Sequence, residues 1–96
     1  MSHSQEQALA RLAELRHGID VLDAQLIGIL GQRFGLTAEV GKLKKTHALP
    51  AQDPTREAQQ MVRIAELARG AGLDPELAQR VFRTIIDAVV QNHRAV

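Results

Sequence analysis

Cysteine is absent from the 96 residues, which excludes disulfides and thiolate chemistry. Only two aromatic residues occur, Phe34 and Phe82, too few for a platform on which nucleic-acid bases stack. Charge of one sign is missing too. Twelve Lys and Arg stand against eleven Asp and Glu, and a net charge of +1 argues against a general nucleic-acid binder. No apolar run approaches a membrane span, and the N-terminus lacks a basic segment followed by an apolar one. A cytoplasmic protein with no membrane partner is expected. No strand alternation and no hairpin-type turn pair occur anywhere. No serine is placed beside a histidine and an acid, no glycine-rich phosphate loop is present, and His3, His17 and His47 show no metal-ligand spacing. Nucleophilic, phosphoryl-transfer and metal mechanisms therefore lack their parts, and no cofactor or metal is expected.

What the chain does have is helical periodicity, supported by a 45% hydrophobic composition that argues against disorder. Between about Arg11 and Lys45 the apolar residues Leu12, Leu15, Ile19, Leu22, Leu26 and Ile29 alternate steps of three and four. That spacing predicts one long helix with a narrow apolar seam. Continued, the same stepping reaches Arg33, Leu36, Val40 and Leu43, so a guanidinium stands where an aliphatic side chain is called for. A cation on an apolar seam loses hydration unless a carboxylate or an anionic ligand meets it. Lys44 follows eleven residues later, about 20° around an ideal helix and roughly 16 Å along it. Two cations at the ends of a half-apolar strip suit a small molecule with separated negative groups; an ordinary solvated charge pair is the structural alternative.

The remaining elements are marked by caps. Residues Met1 to Gln5 are polar, and fraying over residues 1–6 is expected. The long helix should stop before Pro50, since Thr46 to Leu49 carries no periodic signal. Asp53-Pro54 and Asp74-Pro75 each read as an N-cap followed by proline at the first helical position. The second helix is predicted from about Pro54 to Arg69, ended by Gly70-Ala71-Gly72, and the third from Pro75 to about His93. The fold class is all-α: one long helix and two shorter ones in a single domain over residues 1–96. So small a chain has a limited core, and Gly28, Gly31 and Gly35 share one face of the long helix where another helix can approach. Both features point to a partner chain.

Asp53 and Glu57 are four residues apart, and Glu57 continues into the apolar face of Met61, Ile64 and Ala68, so both carboxylates point inward. As structural groups, they are an N-cap and a first-turn acid favoured by the helix dipole. His93 prolongs the stripe of Ile86 and Val89, with a frayed helix end as the structural alternative. Arg16 lies seventeen residues before Arg33, about 25 Å along an ideal helix and about 100° around it. One small ligand cannot touch both on one chain. If Arg16 is functional, an antiparallel partner helix brings it to the site; otherwise it is a surface arginine.

These residues carry a resemblance. The ordered set Leu15-Arg16, Ile19-Asp20, Leu22-Asp23, Arg33, Glu39-Val40-Gly41-Lys42 with Lys44, Pro50, Asp53, Arg56-Glu57, Leu73-Asp74 and Phe82 with Ile85-Ile86 resembles the all-helical chorismate mutases, over roughly Leu9 to His93. The resemblance implies an intertwined helical homodimer that converts chorismate to prephenate by a Claisen rearrangement in shikimate-derived aromatic metabolism. That reaction is pericyclic and needs only a compact substrate conformer and stabilisation of charge on the ether oxygen. By resemblance, Arg33 and Arg16 of the other chain bind the two carboxylates, and Lys44 contacts the ether oxygen and a carboxylate. Asp53 and Glu57 receive the ring hydroxyl, Arg56 supports that end, and Val40 and Ile86 are apolar walls. Val89 stands where the family often has a serine. His93 stands where a glutamine usually donates to the ether oxygen, so His93 is expected as that donor, with activity rising on acidification if the charged ring donates better. The departures leave room for a relative acting on 4-amino-4-deoxychorismate, whose ring amine would pair with Glu57, and, less closely, for an isochorismate-pyruvate lyase. A noncatalytic helical dimer that senses a metabolite or regulates an enzyme is the alternative of another class.

Overall fold

A computed structural model describes residues 2–95. Among the described residues it is all-helical, with three helices and no strand: α1 (His3–Thr46), α2 (Pro54–Gly70) and α3 (Pro75–Ala95). Two compact units divide within α1, one Met1–Phe34 and the other Gly35–Val96. No described helix is long and apolar enough to cross a membrane.

At the start of α1, Ser2 Oγ accepts from the Gln5 backbone N–H at 3.2 Å and the Ser2 N–H donates to Gln5 Oε1 at 2.9 Å. This reciprocal capping box satisfies two donors that a helix start otherwise leaves open, so the helix begins at His3. Met1, the first residue of that segment, lies outside the described residues. Within the Met1–Phe34 unit the seam residues are exposed. Leu12, Leu15, Ile19, Leu22, Leu26 and Ile29 are between 38% and 63% exposed.

In the Gly35–Val96 unit, α2 and α3 pack on each other. Asp53 caps α2 as its spacing predicts, its carboxylate accepting from the Arg56 N–H at 3.1 Å with Pro54 at the first helical position. Asp74 does the same for α3, accepting from the Glu76 N–H at 3.1 Å. Between them the chain reverses through Gly72, whose φ of 71° is the left-handed conformation. There the Leu73 N–H reaches back to Ala68 O at 2.9 Å and the Gly72 N–H to Arg69 O at 3.3 Å. The buried residues at the contact are Ala65, Ala68, Ala78 and Ile86. Small side chains let the helix backbones approach, and Gln79 Nε2 donates across to Met61 O at 3.1 Å.

The end of α1 uses the same turn with a less suitable residue. The Leu49 N–H bonds Lys44 O at 2.7 Å and the Ala48 N–H bonds Lys45 O at 3.4 Å, which puts Ala48 at the left-handed position with φ 54°. Alanine pays a steric penalty there that glycine avoids. Ala48→Gly should therefore stabilise the fold by about 0.5–1 kcal/mol, after allowing for glycine's larger unfolded-state entropy. The check is the urea unfolding midpoint; an unchanged or lowered midpoint would show that the turn does not strain the alanine.

Candidate active site

The turn that ends α1 brings the chain back toward Lys44. Its ammonium donates to Ala51 O at 2.9 Å, bridging the loop, and its Nζ lies 3.4 Å from His93 Nδ1 on α3. On the other side of the ring, His93 Nε2 lies 2.8 Å from Thr37 O. A backbone carbonyl only accepts and an ammonium only donates, so a ring protonated at Nε2 with its lone pair at Nδ1 satisfies both contacts at once. The residue expected as the donor to the ether oxygen thus stands beside Lys44, with both ring nitrogens against protein atoms.

Gly41 makes the approach possible. It is buried, and a Cβ at this position would stand 2.8 Å from His93 Cδ2 and 3.2 Å from its Nε2. A further hydrogen bond ties the same region together: Arg94 Nη2 donates to Gln52 Oε1 at 3.1 Å, joining the residue after His93 to the residue after Ala51.

Beside Gln52 lies a hollow of about 320 Å³ lined by Gln52, Pro54, Glu57, Ala58, Met61 and Arg83. Glu57 points inward as its spacing predicts, with its side chain 12% exposed. Its Oε1 accepts from Arg83 Nη2, while Oε2 is buried without a hydrogen-bond partner among the described residues. Arg83 is pinned from a second direction, its Nε donating to Asp87 Oδ1 at 3.0 Å. The Arg83 guanidinium, with a smaller pull from the Gln52 side chain, holds the Glu57 carboxyl below the ordinary carboxylate value, against the opposing effects of burial and of the Asp53 carboxylate.

The structure thus brings Lys44 and His93 together and sets Glu57 in a hollow of the same unit. Asp53 serves α2 as its cap, and Arg56 and Val40 are exposed, Val89 half-buried and Ile86 buried. Arg16, exposed, and Arg33, half-buried, belong to the Met1–Phe34 unit. Sequence reasoning missed Arg83, Gln52 and the Thr37 carbonyl. Arg83 left a signal, a cation three residues before Ile86 on the inward stripe of α3. Among the described residues no group of three or more His, Asp or Glu side chains is placed to hold a metal ion.

A family model described as chorismate mutase type II matches residues 15–94. The chain belongs to that family. It is similar to the T-protein of Enterobacter agglomerans, with 36% identity over 78 residues, 81% of this chain and 21% of that protein. It is similar also to the chorismate mutase of Methanocaldococcus jannaschii, 28% identical over 82% of this chain and 80% of the other. A 4-amino-4-deoxychorismate mutase of Streptomyces pristinaespiralis is 32% identical over 78% of this chain and 58% of the other. The chain spans about a fifth of the T-protein. The match starts at Leu15 and so takes in Arg16, Arg33, Lys44, Glu57 and His93.

Two outcomes test this arrangement. Because the folded Glu57 carboxyl binds its proton more weakly than the unfolded one, its contribution is complete above the unfolded pKa and is lost as pH falls through the folded one. Stability to urea should therefore decline below about pH 5, and decline less steeply in Glu57→Gln. Equal slopes would exclude Glu57 as a source of the acid sensitivity. In addition, Gly41→Ala should displace the His93 ring and cost stability, although alanine is about 1 kcal/mol the better helix former. A more stable Gly41→Ala protein with an unchanged His93 ¹⁵N spectrum would contradict the packing.

Proposed function

We propose that the chain is a chorismate mutase, a cytoplasmic homodimer that converts chorismate to prephenate. The observation that carries this reading is the way Lys44 is held. Its ammonium has three protons; Ala51 O and His93 Nδ1 take two, and among the described residues one remains for a ligand. A half-buried ammonium fixed by a backbone carbonyl and a neutral ring is a preorganised donor for an ether oxygen that gains negative charge.

In the rearrangement the ether C–O bond breaks while a C–C bond forms between the enolpyruvyl methylene and the ring, and no atom leaves. Nothing in that step needs a nucleophile or base. The chain's residues hold the diaxial conformer and meet the developing charge. Lys44 supplies the donor, with His93 fixing its position. Arg33 and Arg16 of a second copy bind the two carboxylates. Glu57 accepts the ring hydroxyl at Oε2, with Asp53 and Arg56 beside it on the first turn of α2, and Val40, Ile86 and Val89 form apolar walls.

A second copy is inferred from the Met1–Phe34 unit. Its seam residues stay exposed within the chain, and their three-four stepping is the pattern that packs against an identical helix. Gly28 and Gly31 have no atom within 4 Å of where a Cβ would stand, which leaves room for close helix approach. The partner's Arg16 is then the natural complement to Arg33.

Lys44→Ala and Arg33→Ala should each lower chorismate turnover by at least about 100-fold while remaining helical. Arg16→Ala and Arg33→Ala, each nearly inactive alone, should recover activity when unfolded and refolded together. About a quarter of the wild-type rate is the ceiling, since half of randomly paired dimers are mixed and each holds one intact site of two. No consumption of chorismate by the wild type would overturn the mutase reading. No recovery in proven mixed dimers would overturn the sharing of Arg16.

A further inference from the structure

We propose that Arg83 determines which ring substituent the site accepts: by occupying the cation position beside Glu57, it selects a neutral hydroxyl and disfavours an ammonium. This rests on the reading of Glu57 as the acceptor for that substituent, and it assigns a role to a residue on the opposite helix.

The argument is one of charge and of unused bonding capacity. Glu57 has two oxygens in the hollow. Oε1 is taken by Arg83 Nη2, and Oε2 is buried with no hydrogen-bond partner among the described residues. A buried carboxylate oxygen without a donor is costly, and a donor brought by a ligand would relieve that cost. A hydroxyl and an ammonium can both donate to Oε2, so the hydrogen bond alone does not choose between them. Charge does. With Arg83 paired to it, the charge of Glu57 has already been met by one cation, and a hydroxyl adds no further charge; the nearby Asp53 carboxylate is exposed and engaged as the cap of α2. An ammonium at Oε2 would put a second cation within a few ångströms of the guanidinium, against a carboxylate whose side chain is only 12% exposed, where like charges repel more strongly than in bulk solvent.

Arg83 is bonded on two sides. Its Nε is bonded to Asp87 Oδ1 one turn further along α3, which holds the guanidinium plane while Nη2 reaches across to α2. Asp87 is on the exposed side, 66% exposed at its side chain, and so contributes little compensating charge to the hollow itself. The remaining lining groups, Gln52, Pro54, Ala58 and Met61, carry no charge. The competing substrate is chosen on the same ground: 4-amino-4-deoxychorismate differs from chorismate in having an amine where the ring hydroxyl stands, and a relative of this chain bears the name of a mutase for it.

The test is a comparison of kcat/KM for chorismate and for 4-amino-4-deoxychorismate, measured on the full chain and on Arg83→Gln and Arg83→Lys, with helicity followed by circular dichroism. Glutamine keeps a donor for Oε1 without the charge, and lysine keeps the charge. The wild type should favour chorismate by at least about 10-fold, the order of discrimination one misplaced charge gives. Arg83→Gln should shift that ratio toward the amine by about 10-fold or more, chiefly through a gain on the amine, and Arg83→Lys should stay near the wild type. A loss of stability alone would lower both substrates together and leave the ratio fixed. A wild type that prefers the amine overturns the proposal whether or not any variant folds, and so does an unmoved ratio in a helical Arg83→Gln that still consumes chorismate. A wild type that consumes neither substrate overturns the mutase reading on which the proposal rests.

Discussion

The placement of the Lys44 ammonium is the interaction on which the rest of the candidate site depends. It ties the last turns of α1 to the loop through Ala51 O and to α3 through His93 Nδ1. Several otherwise unrelated features serve that one placement. The left-handed turn at Ala48 reverses the chain so that Ala51 returns to Lys44. Gly41 omits the side chain that would block the ring, and Thr37 offers the carbonyl that fixes the ring's tautomer. Removing any one would leave a partly desolvated ammonium without a fixed position, and a donor that wanders loses most of its advantage over water.

In the same arrangement His93 donates from Nε2 to Thr37 O and accepts at Nδ1 from Lys44, so one ring joins both ends of the contact. The Glu57–Arg83 pair follows parallel logic at the hollow, where one internal cation spends the charge of the carboxylate before any ligand arrives.

Much of this was legible in the sequence, and what was legible was local. Asp53-Pro54 and Asp74-Pro75 announce helix starts because a cap and a proline act within one turn. The inward direction of Glu57 follows from its spacing to Met61. The Ser2–Gln5 capping box was present in the sequence, although its polar surroundings read as a fraying end. Other features were not local. Glu57 meets Arg83 twenty-six residues away only because α2 and α3 pack across the Gly72 turn. His93 was placed on the correct stripe, but its hydrogen-bonding sense depends on Thr37, fifty-six residues earlier. Ala48 gives no sign of a left-handed turn, since alanine rarely adopts one.

The claim tested most directly is that a neutral His93 ring holds Lys44. Selective ¹⁵N labelling of histidine, with His93 assigned by comparison with His93→Gln, reports which ring nitrogen carries the proton. At neutral pH the account predicts a neutral ring protonated at Nε2, with Nδ1 shifted by its hydrogen bond from Lys44 and that shift lost in Lys44→Met. A ring protonated at Nδ1, or an imidazolium under the same conditions, would place a proton against the ammonium and contradict the account.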